Sequence, residues 1–303
     1  MSSIPDRSHI LTEQRNPATT RLHTLSAAEC VDLIRREDHA VLRAVEAASP
    51  ALTRFIEAIE PGFLAGGRLI YLGAGTSGRL GVLDASEAPP TFQIEPGRII
   101  GIIAGGDRAL RLSSEGREDE PLGAVPDLEP LNLTARDAVL GIAAGGTTPY
   151  VLGALAWASR RAERPVTAML SCSPIPVPEG CDHLIVAPTG PEVLTGSTRM
   201  KAGSATKMVL NILSTTLMIR SGRVYQNLMV DLRASNTKLR DRAARILVTL
   251  LGLDRASALD LLDRAQGSVK LAVVMGKLGL DAPAAQLKLS QAQGRLQVAL
   301  GEA

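Results

Sequence analysis

RLIYLGAGTSGRLGVLDASEAPP, residues 68–90 of this 303-residue chain, has the clearest structural pattern in the sequence. The stretch opens with a short apolar run that stops at a glycine, as a buried strand does. G-x-G-x-x-G follows from Gly73 to Gly78, and the pattern of Thr76–Glu87 favours a helix that two prolines close. A strand, a glycine turn and a helix in this order predict one unit of a parallel sheet, with the turn at the carboxyl end of the strand.

The same alternation continues along the chain. Apolar runs predict four more strands, and helical patterns separate them, so we expect an α/β fold with a doubly wound, five-stranded parallel sheet. These strands are predicted at 98–104, 137–143, 166–171 and 183–187, with intervening helices at 109–119 and 148–163.

Helical patterns both precede and follow the predicted strands in the sequence. Before them, a polar arm precedes helical spacing over 26–59, with a capping box at Ser26 and breaks near His39 and Pro50. After them, helices are predicted over 197–221 and 227–249, and three short ones follow. We expect three parts: an N-terminal arm with helices over 1–60, an α/β domain over 61–249 and a small helical bundle over 250–303.

The composition argues against several classes of protein. A net charge of +2, with three Phe, three Tyr and one Trp, disfavours a nucleic-acid partner. The three cysteines form no C-x-x-C pair, and the four histidines lack metal-ligand spacing, so neither a disulfide framework nor a zinc site is expected. No apolar stretch is long enough to span a membrane and no signal segment is apparent, so we expect a cytoplasmic protein.

The glycine turn fits a phosphate monoester better than a dinucleotide. A dinucleotide site needs an acidic residue about 20 positions on, but the first acid after the second strand is Asp107, more than 30 residues after Gly73. Thr76 and Ser77 instead add two hydroxyls to the free N–H groups at a helix start. A second turn, Ala144–Pro149, repeats this arrangement after another strand. Two such turns at one sheet edge favour a sugar phosphate.

Four segments carry a family resemblance. They are TEQRNP (Thr12–Pro17), LGAGTSGRLGVLDASEAPPTF (Leu72–Phe92), TGSTRMKAGSATKMVLN (Thr195–Asn211) and NLMVDLRASNTKL (Asn227–Leu239). In this order they closely resemble N-acetylmuramic acid 6-phosphate etherases over nearly the whole chain. The resemblance implies a sugar-isomerase (SIS) α/β domain, a ubiquitin-associated-type (UBA-like) C-terminal bundle, a homodimer, and no metal or organic cofactor. It also implies cleavage of the D-lactyl ether of N-acetylmuramic acid 6-phosphate by water.

The resemblance also assigns residues. Its acid lies in a D-A-S-E motif, which places it at Glu87, and its second glutamate lies in a segment that matches Glu115–Asp119, which places it at Glu118, with Glu115 as the alternative alignment. We expect Glu87, in apolar surroundings, to give a proton to the leaving lactate and Glu118 to remove the C2 proton. Arg199 and Lys201 are candidates to pair with the lactate carboxylate or the phosphate, and Lys201 alternatively with a developing enolate. The candidate substrate-binding residues are Gly75, Thr76, Ser77, Gly146, Thr147, Thr148, Ser197, Thr198, Arg199 and Lys201.

The second turn departs from the family pattern. Where the family usually has A-S-G-R-T-P-Y, this chain has Gly145 in place of the serine and Thr147 in place of the arginine. Loss of a hydroxyl that bonds a charged phosphate costs about 1.5–3 kcal/mol, so we expect a weaker phosphate site.

Two other functions fit the same turns. An aldose–ketose sugar-phosphate isomerase also removes the C2 proton but needs no acid at O3. A non-catalytic sugar-phosphate sensor, similar to glucokinase regulatory protein, needs neither carboxylate, and that family is longer, with two SIS domains. Glu87 favours the etherase over both.

Overall fold

The structure, a computed structural model, describes residues 6–232, 234 and 236–302. Arg233 and Ser235 of the fourth segment quoted above lie outside the described residues. Contacts group the chain into two compact units. The first comprises the chain up to Glu87 together with Pro96–Ser214, and the second comprises Ala88–Glu95 and the chain from Thr215 onward. The expected division at residues 60 and 249 stays a prediction about domains.

A five-stranded parallel sheet forms the centre of the first unit, in the order β2-β1-β3-β4-β5. Most strand residues are buried, as expected for a parallel sheet that is covered on both faces. The predicted α/β fold is confirmed, and each strand lies within one residue of its expected bounds. The strands are β1 Leu69–Gly73, β2 Ile99–Ile103, β3 Ala138–Ile142, β4 Val166–Ser171 and β5 His183–Val186.

Within the described residues, six α-helices begin in the first unit. They are α1 Ala27–Glu37, α2 His39–Leu64, α3 Gly75–Phe92, α4 Val125–Leu128, α5 Pro149–Ser159 and α6 Lys201–Arg220. The predicted capping box is confirmed, since the Ser26 side chain accepts from the Glu29 N–H while the Glu29 carboxylate accepts from the Ser26 N–H.

Alternate residues of β1 face different helices, which shows that both faces of the sheet are covered. Ile70 and Leu72 belong to the core that contains Val151 of α5. Tyr71 instead donates its hydroxyl to Asp84 of α3, 3.0 Å away, and Asp84 also accepts from Ser214 of α6 at 3.1 Å. Burial raises the pKa of Asp84, and this buried network joins α3 to α6.

Three prolines do not break helices as predicted. Pro50 lies within α2, and Pro89 and Pro90 lie within the last turns of α3. A proline removes one backbone donor and crowds the preceding turn, but α2 keeps a continuous buried face that includes Ala48 and Leu52 on either side of Pro50. The expected breaks at these prolines are wrong because tertiary burial outweighs the local cost.

Three other predicted helices are wrong in whole or in part. The segment 109–119 forms only short 3-10 turns, at Asp107–Leu110 and Glu115–Arg117, since it offers almost no apolar face to bury. The segment 227–249 becomes helical only at Thr237, where Asn236 caps the helix, and a two-stranded hairpin precedes it. The helix expected over 148–163 ends early, at Ser159.

The second unit is mainly helical. Leu247, Leu262, Val273, Leu289 and Leu296, one from each of its five C-terminal helices, share one core. The elements are β6 Val224–Tyr225, β7 Leu228–Met229, α7 Thr237–Leu251, α8 Arg255–Arg264, α9 Val269–Leu278, α10 Ala282–Gln291 and α11 Leu296–Leu300. Among the described residues of the chain, no helix is both long and apolar enough to cross a membrane.

Candidate active site

The first glycine turn brings the start of α3 against the end of β1. A Cβ at Gly73 would lie 2.8 Å from the Gly78 nitrogen, and a Cβ at Gly78 would lie 2.6 Å from the Gly73 oxygen. Neither position can therefore hold a larger residue without moving the backbone. Gly75 has φ +52°, a left-handed conformation that glycine adopts without strain. As in any α-helix, the first backbone N–H groups of α3 have no acceptor within the helix itself.

The second turn lies at the neighbouring strand, β3, which pairs directly with β1. Gly146 has φ +74°, and a Cβ there would lie 2.6 Å from a methyl carbon of Ile175. Thr148 then occupies the N-cap position of α5 without a capping bond from its side chain, and the first turn of the helix contains a proline. Because parallel strands end at the same edge, the two turns face one another across that edge.

A pocket of about 260 Å³ lies between the two turns. Its lining is mostly polar and combines backbone, hydroxyl and carboxylate groups. Of the residues that the sequence indicates, it includes Gly75, Thr76, Ser77, Thr147, Thr148, Thr198 and Glu118. Gly146, Ser197, Arg199, Lys201 and Glu87 are not among its lining residues.

Glu118 reaches the pocket from the loop that follows β2. Its backbone oxygen accepts from the N–H of Tyr150, 3.0 Å away in the first turn of α5. This bond fixes the loop beside the second turn, and Glu118 lines the pocket together with the phosphate-binding candidates. Asp119 lines the same pocket. The sequence indicated Glu118 only through the family resemblance, because the acidic run around it is typical of a solvated surface, and it did not indicate Asp119.

Glu87 lies outside this pocket. Its side chain is 59% exposed, and its Oε2 is 3.5 Å from Nζ of Lys207. The expected apolar setting of Glu87 is wrong, because the residues that face inward from this part of α3 are Asp84, Ala85 and Ala88. Glu87 is turned away from the side of α3 that these three residues bury.

Comparison with known proteins identifies the family. Residues 51–159, which contain both turns, match the model of the glucokinase regulatory protein N-terminal SIS domain. An N-acetylmuramic acid 6-phosphate etherase of Gloeobacter violaceus is 52% identical over 98% of this chain and 97% of its own length. One of Edwardsiella ictaluri is 48% identical over 97% of both chains. The chain belongs to the N-acetylmuramic acid 6-phosphate etherase family.

A solved structure of E. coli CFT073 c3406 in complex with A5P is also similar to this etherase-family chain. It shares 16% of aligned residues, with a TM-score of 0.48, over 67% of this chain and 97% of that chain.

The family's T-G-S-T-R-M-K segment lies at the start of α6. A carboxylate of the same chain already accepts hydrogen bonds from the backbone N–H groups there. The buried carboxylate of Glu192 accepts from the N–H groups of Lys201 and Ala202, at 3.0 and 2.9 Å. Burial raises the pKa of Glu192, while these bonds act in the opposite direction. Nζ of Lys201 is 2.8 Å from Oε2 of Glu37, and its side chain is 3% exposed. The structure therefore brings Thr198, but not Lys201, to the pocket.

Sequence reasoning missed the contribution of the N-terminal arm to this etherase-family site. Arg7 and Glu13 both line the pocket. The arm is held there because Ile10 is buried and because the N–H of Thr12 donates to Oγ of Ser173 at 3.2 Å. A lone charged residue in a polar arm gives no sequence signal, although the T-E-Q-R-N-P motif marked the region.

The departure from the family pattern at position 145 has a structural counterpart. A Cβ at Gly145 would lie 3.8 Å from the hydroxyl oxygen of Thr147. Thr147 therefore places a hydroxyl close to where the family's serine would carry one, and both positions line the pocket. The substitution thus moves a hydroxyl along the turn.

Proposed function

We propose that this chain is an N-acetylmuramic acid 6-phosphate etherase, a carbon–oxygen lyase that releases D-lactate and N-acetylglucosamine 6-phosphate. The observation that carries the proposal is the pocket in which two hydroxyl-bearing turns and the Glu118 carboxylate meet. Its walls suit a ligand with a terminal phosphate and a polar body. Membership of the family names the substrate.

The phosphate is assigned to the two turns. The start of α3 offers backbone N–H groups, the positive end of the helix dipole and the hydroxyls of Thr76 and Ser77. Thr147 and Thr148 add hydroxyls from the opposite side, and Arg7 supplies a positive charge among the lining residues. Together these groups match the several oxygens of a phosphate monoester.

The chemistry that we propose is elimination followed by addition. An alkoxide is a poor leaving group, but the C1 aldehyde of the open-chain sugar acidifies the proton on C2. Glu118 removes that proton, the electron pair forms the C2–C3 double bond, and the C3–O bond breaks. Glu87 gives its proton to the departing lactyl oxygen. Water then adds its oxygen to C3, with Glu87 accepting a proton from it and Glu118 returning one to C2.

The wider setting is also a proposal. We infer a homodimer, which is supported by the exposed Leu83 and Ile212 on α3 and α6 near Glu87. A cytoplasmic location is supported by three cysteines that are all free, as is usual in a reducing compartment.

Incubation with N-acetylmuramic acid 6-phosphate in H₂¹⁸O tests the function. We expect release of D-lactate and one ¹⁸O at C3 of the product sugar, because the C3–O bond is the one that breaks. Release of ¹⁸O-labelled lactate would contradict elimination. Tight binding without lactate would favour a sensor, and conversion of an aldose phosphate to a ketose phosphate would favour an isomerase.

The two glutamates are separated by exchange of the C2 proton. Glu87→Gln should stop lactate release but retain exchange of that proton with deuterium from the solvent, because Glu118 remains. Glu118→Gln should stop both reactions. The reverse pattern would exchange the two roles.

A further inference from the structure

The elimination described above has an earlier step to which no residue is assigned. It begins from the open-chain sugar, whereas a hexose phosphate in water is almost entirely a closed ring, a cyclic hemiacetal. Opening the ring moves the proton of the C1 hydroxyl to the ring oxygen, and a positioned acid–base group accelerates such a transfer by about 10²–10⁴-fold. Glu118 is assigned to the C2 proton and Glu87 to the lactyl oxygen. The ring-opening step therefore calls for another group in the pocket wall.

The Glu13 carboxylate is a group of this pocket that the elimination does not use. Glu13 lines the pocket together with Glu118 and both glycine turns. The two carboxylates come from different parts of the chain, since Glu118 follows β2 and Glu13 ends the 3-10 turn Leu11–Glu13 of the N-terminal arm. Within the part of the chain that the structure describes, no hydrogen bond or ion pair engages the Glu13 carboxylate. Both of its oxygens are available to a bound sugar.

The arm is anchored on both sides of Glu13. Thr12, directly before it, is fully buried. Asn16, three residues after it, is also buried, and its Nδ2 donates to Oε2 of Glu37 at 2.7 Å and to the carbonyl oxygen of Pro191 at 3.4 Å. A catalytic group must be held to within about 0.5 Å of its working position. These anchors give Glu13 that support, although it lies in an irregular segment.

The Glu13 side chain extends over the turn that precedes α6. A Cβ at Gly196 would lie 3.3 Å from Oε2 of Glu13, closer than most side chains approach. Gly196 has φ +74° and lines the pocket, as does Thr198. The glycine therefore leaves room for the carboxylate at the edge of the pocket, on a wall that neither glycine turn supplies.

We propose that Glu13 opens the sugar ring before Glu118 removes the C2 proton. The inference rests on the proposed function, since only a reaction through the C1 aldehyde needs an open ring. It gives the N-terminal arm a catalytic part in the reaction. The order of events is then ring opening by Glu13, followed by elimination across C2 and C3.

One carboxylate can serve both oxygens of the hemiacetal. The C1 hydroxyl oxygen and the ring oxygen are bonded to the same carbon, about 2.3 Å apart, and the two oxygens of a carboxylate are about 2.2 Å apart. One oxygen of Glu13 accepts the C1 hydroxyl proton as the C1=O bond forms and the bond from C1 to the ring oxygen breaks. The proton then passes to the former ring oxygen, which becomes the C5 hydroxyl. Glu13 ends the step ionised, as it began.

Two substrates test the assignment. One is N-acetylmuramic acid 6-phosphate, and the other is the open-chain unsaturated aldehyde that elimination forms from it, which has no ring to open. Glu13→Gln should lower kcat for lactate release from the cyclic substrate at least about tenfold, because it removes the acid–base group. The same variant should add water to the open-chain aldehyde at the wild-type rate, because this substrate enters after the affected step.

Two further variants serve as controls. Glu13→Asp keeps a carboxylate and should recover part of the rate on the cyclic substrate. Glu46→Gln makes the same chemical change at an exposed position of α2 and should react with both substrates at the wild-type rate.

Three outcomes would overturn the inference. One is an equal loss on both substrates in Glu13→Gln, which would mean that Glu13 only supports the pocket. Another is full activity of this variant on the cyclic substrate. The third is a loss on the cyclic substrate alone in Asp119→Asn but not in Glu13→Gln, which would transfer ring opening to Asp119. Failure of the wild-type protein to release lactate would instead contradict the proposed function.

Discussion

The starts of α3 and α6 have similar sequences but different surroundings. Each carries paired hydroxyl residues after a glycine, Thr76-Ser77 in one and Ser197-Thr198 in the other. The start of α3 opens into the pocket between two sheet-edge turns. The backbone donors at the start of α6 are taken by the buried carboxylate of Glu192.

This difference shows what makes a helix start available to a ligand. Free N–H groups and the helix dipole attract any nearby anion, and a carboxylate of the same chain satisfies them as well as a phosphate does. At α6 the protein supplies its own anion, so this helix start stabilises the fold. The start of α3 instead lines the pocket, where a ligand can reach it.

A carboxylate introduced at the start of α3 should have the strongest effect on sugar-phosphate affinity. Ser77→Asp places a carboxylate beside the proposed phosphate site, and like charges in direct contact cost several kcal/mol, so affinity should fall by at least about 100-fold. Calorimetric titration with N-acetylglucosamine 6-phosphate measures this change. Ser204→Asp, at an exposed position in the first turn of α6, is the matched control and should bind normally. Equal losses in both variants would remove the distinction between the two helices.

Removal of the Glu192 carboxylate from the start of α6 should lower the stability of the protein. Glu192→Ala leaves two buried N–H groups without an acceptor, so the free energy of unfolding should fall by about 2–3 kcal/mol in urea titrations. Sugar-phosphate affinity should not change in the protein that remains folded. Glu179→Ala, which removes an exposed ion pair with Arg160, should lower stability by less than about 1 kcal/mol. A loss of affinity in Glu192→Ala would show that the start of α6 contributes to the site.

The second turn provides a smaller test of the pocket. Thr147→Ala removes the hydroxyl that lies near position 145, and we expect about tenfold weaker sugar-phosphate binding, equivalent to about 1.4 kcal/mol. Thr147→Ser keeps the hydroxyl and should retain affinity. If Thr147→Ser binds the sugar phosphate weakly while Gly145→Ser restores binding to the Thr147→Ala variant, position 145 is the better one for the hydroxyl.

The smallest expected effect is a pH dependence at α6. Because burial raises the pKa of Glu192 in the folded protein, its contribution to stability is fully present below its unfolded pKa of about 4.5 and is lost as pH rises through the folded pKa. The unfolding free energy of the wild type minus that of Glu192→Gln should therefore decrease as the pH rises from 4 to 7. A difference that increases with pH would contradict burial as the dominant cause.

The sequence predicted the sheet well because its signal is local. A buried parallel strand is an apolar run, and here β1 ends at Gly73 and β3 near Gly145, so boundaries and turns could be read together. The prolines misled the prediction for the opposite reason. Whether Pro50 ends a helix depends on what the rest of α2 buries, and a local pattern does not contain that information.

The site was predictable in part for the same reason. The two turns follow from strand order, and they meet as expected. Other features depend on contacts between segments that are far apart in sequence. Examples are the position of Arg7 in the pocket wall and the ion pair between Lys201 and Glu37. Glu37 lies 164 residues before Lys201, so no spacing rule links them.

The position of a bound phosphate would show which of the two helix starts, that of α3 or that of α6, binds the ligand. A crystal structure of the protein with N-acetylglucosamine 6-phosphate locates the phosphorus atom without reference to turnover. We predict that the phosphate accepts hydrogen bonds from the start of α3 and from Thr147 or Thr148, while Glu192 still caps α6. A phosphate bound at Ser197 and Arg199, with Glu192 displaced from the α6 start, would contradict the account.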